Sequence, residues 1–348
     1  MSRLGWIAIA GTAATLMTGL VAHNAWADGI TPASDGTGTQ VNQVGNDHTI
    51  TGGTLSSDHQ NLFHSFTDFN LLTGESATFL TDPAIQNILS RVNGGNASVI
   101  DGLLQVSGSN ANLFFINPSG ILFGPNAALN LQGSFTALTA DQVNFATGSF
   151  GSVGSADYAA LVGNPESFVW SAATPGSVVN AGNLTVLPGE SVVLVGGQVL
   201  NTGTISAPGG NVIVSAVAGG SWVRIEQEGL LLSLEVETLS GGSVPALVPF
   251  LPNTLPELLT GNDLAAASGV VVNPDGTVQL TSGTPVNTPS GSVTVTGTLD
   301  VSDGQGGQVL IVGETVALPA GLIDISGTVG GELAIYANDD LSLGINVN

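Results

Sequence analysis

Arg224, Glu226 and Glu228 have the spacing that comes nearest to chemistry. In an extended segment, carboxylates two positions apart share a face. Beside a cation they could form the acid pair of a polysaccharide-cleaving enzyme. A solvent-facing charged edge with local ion pairing accounts for the same three residues without any reaction. Asp300, Asp303, Asp339 and Asp340 offer oxygen ligands for calcium, but their spacing matches no calcium-loop signature. Asp58, His59 and His64, together with His48, have no cysteine neighbour and no His-x-x-x-His step, so they make a weak metal or acid–base set. Serines and threonines are too numerous for one to stand out as a nucleophile. No catalytic residue, metal site or cofactor is assigned, and the expectation is a protein that is not an enzyme.

The elements that would position such residues follow from composition. The chain has 348 residues, of which 43% are hydrophobic, 8% are charged and 49 are glycine, with no cysteine. Glycine is at about twice its usual share without collagen's three-residue period. Lys plus Arg number 3 against 26 Asp plus Glu, which excludes a basic surface for nucleic acid or anionic membrane. Arg3, the apolar run from Trp6 to Ala22 and the small-residue stretch Ala25-Trp26-Ala27 match a secretory signal cleaved after Ala27. Its removal leaves 2 arginines against 26 carboxylates, a net charge of −24, and no later segment apolar enough to span a bilayer as a helix. Without cysteine, a secreted chain must rely on packing and strand hydrogen bonds.

Short β-branched runs punctuated by Gly, Asn, Asp and Pro fill the body of the chain. L184TVLPGESVVLVGGQVLNTGTISAPGGNVIVSAV217 and T298LDVSDGQGGQVLIVGETVALPAGLIDISGTVGGELAIYA337 share one plan. Gly182 corresponds to Gly297, Val195-Gly196 to Val312-Gly313, Thr204-Ile205 to Leu322-Ile323, and Gly209-Gly210 to Gly330-Gly331. Turns recurring roughly every 20 residues fit one coil of a β-solenoid. The expectation is an all-β, right-handed parallel β-helix in which Val192, Leu194 and Val199 point inward and their neighbours face solvent. Asn201, Gly203, Gly209, Gly210 and Asn211 fall at corners, where left-handed backbone angles are tolerated. At ~22 residues per coil the mature chain would make about 14 coils and a rod of about 65 Å. Residues 226–290, with four prolines between Glu226 and Asp263 and a short helical signal at T254LPELL259, form a Pro-rich excursion from the helix.

The most specific pattern lies near the N-terminus. F63HSFTDFNLLTGESATF79, I85QNILSRVNGGNASVIDGLLQV106 and A111NLFFINPSGILFGPNAALNLQGSFTALTADQVNF145 resemble the secretion domain of two-partner secretion exoproteins, the filamentous-haemagglutinin family, in its cyanobacterial style. Asn117-Pro118-Ser119-Gly120-Ile121 matches that family's Asn-Pro-Asn-Gly-Ile motif, with Ser119 in place of the second Asn. The family's Asn-Pro-Asn-Leu motif corresponds to Asn96-Ala97-Ser98-Val99, where only Asn96 is retained. With the patterns above, the resemblance gives a signal peptide (1–27), a secretion and cap domain (28–170), coils (171–225), the excursion (226–290) and further coils (291–348) that read as a shortened run.

The resemblance also implies a function. The secretion domain would be recognised in the periplasm by the POTRA domains of an outer-membrane transporter, leaving the chain secreted or at the cell surface. There it would serve as an adhesin toward a cell-surface glycan or protein receptor. An unfolded segment could add to a transporter sheet edge, with Ala77 to Leu80 and Leu113 to Ile116 as strand-like candidates. A carbohydrate-binding or polysaccharide-cleaving β-helix enzyme is the alternative.

Overall fold

The computed structural model describes residues 29–228, 231–238, 270–272, 278–280, 285–286 and 290–348; side chains are described for 29–221, for 223 and from 290 onward. The chain folds as a right-handed parallel β-helix with three faces. Face A stacks Asn61–Phe69, Asn87–Val92, Asn112–Ile116, Phe135–Leu138, Val192–Gly196, Asn211–Ala216, the first half of Gln308–Leu318, and Glu332–Leu343. Face B runs from Ser98–Ile100 to the second half of Gln308–Leu318 and of Glu332–Leu343. Face C runs from Asp47–Gly52 to Asn346–Val347. Where no insertion intervenes, residues paired along face A are 20 to 26 positions apart, as in Asn87 over Asn61 and Val212 over Val192.

Face A has eight rungs among the described residues. At a strand spacing near 4.8 Å that is a rod of about 35 Å, well short of the expectation from sequence length. Insertions account for the difference. One lies between Leu138 and Ser177, and a second between Ala216 and Ser292. The N-terminal end is closed by antiparallel strands, Ile30–Pro32 on Asn61–Phe69 and Thr39–Val44 on Asp47–Gly52.

Val192, Leu194 and Val199 point into the helix interior and are fully buried. Their neighbours Val193 and Val195 are buried as well, against the solvent-facing expectation. The cause is a second layer: Gln142–Phe145, Gly148–Gly151, Ser167–Trp170, Ser221–Glu228 and Leu231–Thr238 form an antiparallel sheet. Phe145, Phe150, Phe168 and Trp170 from this sheet pack on the outward side chains Phe63, Leu89, Ile116 and Val193 of face A. The short helix expected at 254–259 lies outside the described residues.

Corners explain the repeated glycines. Gly182, Gly203, Gly297 and Gly321 stack in one column. A Cβ on Gly203 would stand 2.2 Å from the Gly182 carbonyl oxygen, and one on Gly297 would stand 2.0 Å from that of Gly203. These glycines are needed for close approach between coils. Of the five predicted corner residues only Gly209 has a positive φ, 61°. Asn201 is instead buried in a ladder, accepting from Asn180 Nδ2 at 2.8 Å. A second ladder opens face A, where Asn112 donates to Asn87 at 3.1 Å and Asn87 to Asn61 at 2.9 Å.

Candidate secretion site

Asn117 to Ile121 form the turn that carries the chain from face A to face B, and the sequence folds there for local reasons. The Asn117 side-chain oxygen accepts the Ser119 N–H at 2.9 Å and its carbonyl accepts the Gly120 N–H at 3.0 Å. This is an Asx turn closed by a glycine, and Gly120 takes φ 120°. Fully buried, Asn117 also reaches back one coil, donating from Nδ2 to the Asn96 carbonyl at 2.9 Å and to Ser98 Oγ at 3.0 Å. In the other direction the Pro118 carbonyl accepts the Gly176 N–H at 3.1 Å. Ile121 is buried in the interior and pairs with Ser98 and Val178. The turn therefore holds three successive coils, and every polar atom of the Asn117 side chain is used inside the protein.

Asn96 lies directly beneath this turn. Its carbonyl receives Asn117, while its exposed amide donates to Asp68 Oδ1 at 2.8 Å. The two sequence motifs thus occupy adjacent coils at one corner. Ala77 to Leu80 and Leu113 to Ile116 are central strands of faces C and A, paired on both sides. In the folded protein neither presents a free edge.

A residue outside the predicted set forms the most heavily bonded polar centre among the described residues. Arg91 is fully buried on the outward side of face A. Its guanidinium donates to Asp35 Oδ2 at 2.8 Å, Ser65 Oγ at 3.0 Å, the Gly151 carbonyl at 2.6 Å, the Gly154 carbonyl at 2.7 Å and Tyr158 Oη at 3.3 Å. The Phe150 ring lies 4.8 Å away. Burial works to raise the Asp35 carboxyl, but hydrogen bonds from Ser65, Thr37 and Arg91 outweigh it and hold the pKa down at about 2. The signal in the sequence was a lone cation inside an apolar strand, I88LSRV92.

The other predicted groups are scattered. His64 is buried against Phe79, with Nδ1 3.3 Å from Thr39 Oγ1, and desolvation depresses its pKa to about 4. His48 is buried in face C with Nε2 3.7 Å from Glu75 Oε2, beyond hydrogen-bond reach. His59 is exposed in a turn with φ 59°. Burial acts to raise the Asp58 carboxyl, yet hydrogen bonds from Ser56 and the Gln60 and Gly163 N–H groups outweigh it and lower its pKa. Asp300 Oδ1 accepts the Ser302 N–H at 2.9 Å, and Asp303 Oδ1 accepts that of Gly304 at 2.6 Å. Asp339 and Asp340 lie on the last long strand. No group of three or more metal-capable side chains converges among the described residues. Arg224, Glu226 and Glu228 lie on the strand Ser221–Glu228 opposite Glu235, Ser233 and Leu231, and their side chains are outside the described residues. No helix among the described residues is long and apolar enough to cross a membrane.

Comparison with known proteins adds the family. The model of the TPS secretion domain matches residues 28–244. Among solved structures, the HMW1 secretion domain from Haemophilus influenzae is similar at 21% identity, covering 92% of this chain and 82% of that one with a TM-score of 0.47. A filamentous hemagglutinin secretion domain is similar at 16% identity, covering 92% of this chain and 97% of that one with a TM-score of 0.44. No curated protein matches the chain at a significant level. Because the matched span exceeds half of the 348 residues, the chain belongs to the two-partner secretion family as an exoprotein carrying a TPS secretion domain.

Proposed function

We propose that this exoprotein is taken from the periplasm by the POTRA domains of an outer-membrane partner transporter and serves outside the cell as a non-catalytic adhesin. The observation that carries the reading is the match to the TPS secretion domain over residues 28–244, a span that contains the Asn117 turn. In this reading Asn117, Pro118, Ser119, Gly120 and Ile121 act in secretion by fixing the corner at which three coils meet. Asn96 supports them as the backbone acceptor of Asn117. The glycine column and the nearly uncharged strands suit a surface rod, because like charges stacked on adjacent coils would repel. An excess of carboxylates favours a neutral or cationic cell-surface receptor, a glycan or a protein, over polyanions.

The test is export. The tagged full chain is expressed with and without its partner transporter, and periplasm and medium are compared for the unaltered chain, Asn117→Ala and Asn117→Asp. Transporter-dependent release, reduced at least tenfold in both variants, is the expected result. Equal release without the transporter overturns the route, and normal export of Asn117→Ala overturns the role of the turn. Purified mature protein should then bind cells without consuming their glycans; turnover of any polysaccharide overturns the non-catalytic assignment.

A further inference from the structure

The segment 151–164 joins two strands of the outer sheet and lies across the first coils. Its contacts go to residues far earlier in the chain. Tyr158 Oη is 2.9 Å from Thr37 Oγ1. The Ala159 carbonyl accepts the Ser57 N–H at 3.1 Å, and the Gly163 N–H donates to Asp58 Oδ2 at 3.1 Å. Asn61 Nδ2 donates to the Leu161 carbonyl at 2.8 Å and to the Gly163 carbonyl at 2.7 Å. Arg91 adds its bonds to Gly151, Gly154 and Tyr158. Phe63 places its ring 5.2 Å from that of Tyr158.

We propose that residues 151–164 are a strap that must arrive before the first coils can lock, with Arg91 as its latch. Before the strap docks, the outward side chains Phe63, Leu89 and Arg91 stay open to water, and the backbone ladder of the first coils forms only transiently. Docking buries the guanidinium and replaces its water with two carbonyls, a phenol, a serine hydroxyl and the Asp35 carboxylate, the set a buried cation needs. The same event ties down the N-terminal segment, because Asp35 and Thr37 bond to Arg91 and Tyr158. Asn61 extends the closure along its amide ladder to Asn87 and Asn112. Arg91 is separated from its strap acceptors by 60 to 67 positions. A chain delivered from its N-terminus onward therefore cannot close its first coils until about three further coil lengths have followed.

The mature chain is its own reporter, since it contains no lysine and only two arginines, Arg91 and Arg224. Trypsin can cut the first coils only after Arg91. In the full mature chain, residues 152–164 are replaced by a short Gly-Ser link, and cleavage after Arg91 is timed alongside hydrogen exchange of residues 192–216. The expected result is cleavage at least tenfold faster with the exchange of 192–216 unchanged. Arg91 as resistant as in the unaltered chain overturns the proposal. If the replacement unfolds 192–216 as well, pulsed hydrogen exchange during refolding of the unaltered chain decides. Protection of 61–69 and 87–92 is expected with or after that of 148–164, and protection of the first coils alone overturns the proposal.

Discussion

The first four rungs of face A and the last four share one backbone plan but hold together by different means. Between Phe63 and Phe135 the coils are filled with rings: Phe66 meets Phe69 edge-on at 5.1 Å, Phe69 meets Phe115 at 4.9 Å, and Phe123 meets Phe135 at 5.8 Å. Beyond Trp170, the apolar side chains of the interior among the described residues are Val, Leu, Ile and Ala. The first coils are also bound to distant segments by the Arg91 centre and the strap, whereas the later coils bond chiefly to their nearest neighbours through glycine and asparagine columns. One half is a heterogeneous three-dimensional core, the other a one-dimensional stack.

The largest effect should come from the polar centre. Arg91→Met removes the cation paired with the partly buried Asp35 carboxylate and the donor to two carbonyls, and should cost about 3–5 kcal/mol. Urea unfolding followed by Trp170, which is fully buried in the outer sheet, would show the loss in the first half. A similar change is expected for Phe115→Ala, about 3 kcal/mol, because the ring touches Phe69 in a filled interior. Val214→Ala at a buried position in a later coil should cost only about 1.5 kcal/mol from the two lost methyl groups. Equal costs for the two truncations would mean that the halves are packed alike.

Glycine substitutions sharpen the contrast within the stack. Gly203→Ala would press a methyl group to 2.2 Å from the Gly182 oxygen and should cost about 1–3 kcal/mol by forcing adjacent coils apart. Gly189 has φ 85° with open space around it, so Gly189→Ala should cost only about 1 kcal/mol of backbone strain. Thermal unfolding of the two variants checks the order. A larger loss for Gly189→Ala would make turn geometry, not coil spacing, the reason for the column.

How legible the molecule was follows the same division. Repetition announced the stack: Gly182 and Gly297 do share a column, as do Gly210 and Gly331, and the inward valines were read correctly because alternation on a strand is local. The outer sheet escaped, since Q142VNF145 and S167FVW170 look like coil strands and nothing local says that they fold back over face A. Alternation alone therefore puts Val193 and Val195 at the surface, whereas the second layer buries them. The Asn117 turn was readable as a motif, but its reach to Asn96 and Gly176 depends on coil register. Arg91 was visible as an anomaly, and its partners come from segments 26 to 67 positions away, which no local pattern specifies.

The response to pH has opposite signs in the two halves. His64, buried against Phe79, has a folded pKa of about 4, below the ordinary value of 6.5. The unfolded chain therefore binds the extra proton first, and the first coils lose stability as pH falls from 6.5 toward 4. Asp35, held at about 2, adds a second loss as pH falls below its ordinary 3.8. Glu314, between the last two coils, behaves the other way: burial, then the charge of Asp339, raises its carboxyl above the usual value. There the folded state takes up the proton first, so mild acidification stabilises the last coils. Hydrogen exchange at pH 7 and pH 5, corrected for intrinsic rates, should show protection falling in 61–92 and rising in 308–343. His64→Phe should flatten the first change and Glu314→Gln the second. A uniform response along the rod would mean that the two halves open as one cooperative unit, and the distinction between a filled core and a stack would then describe packing without describing stability.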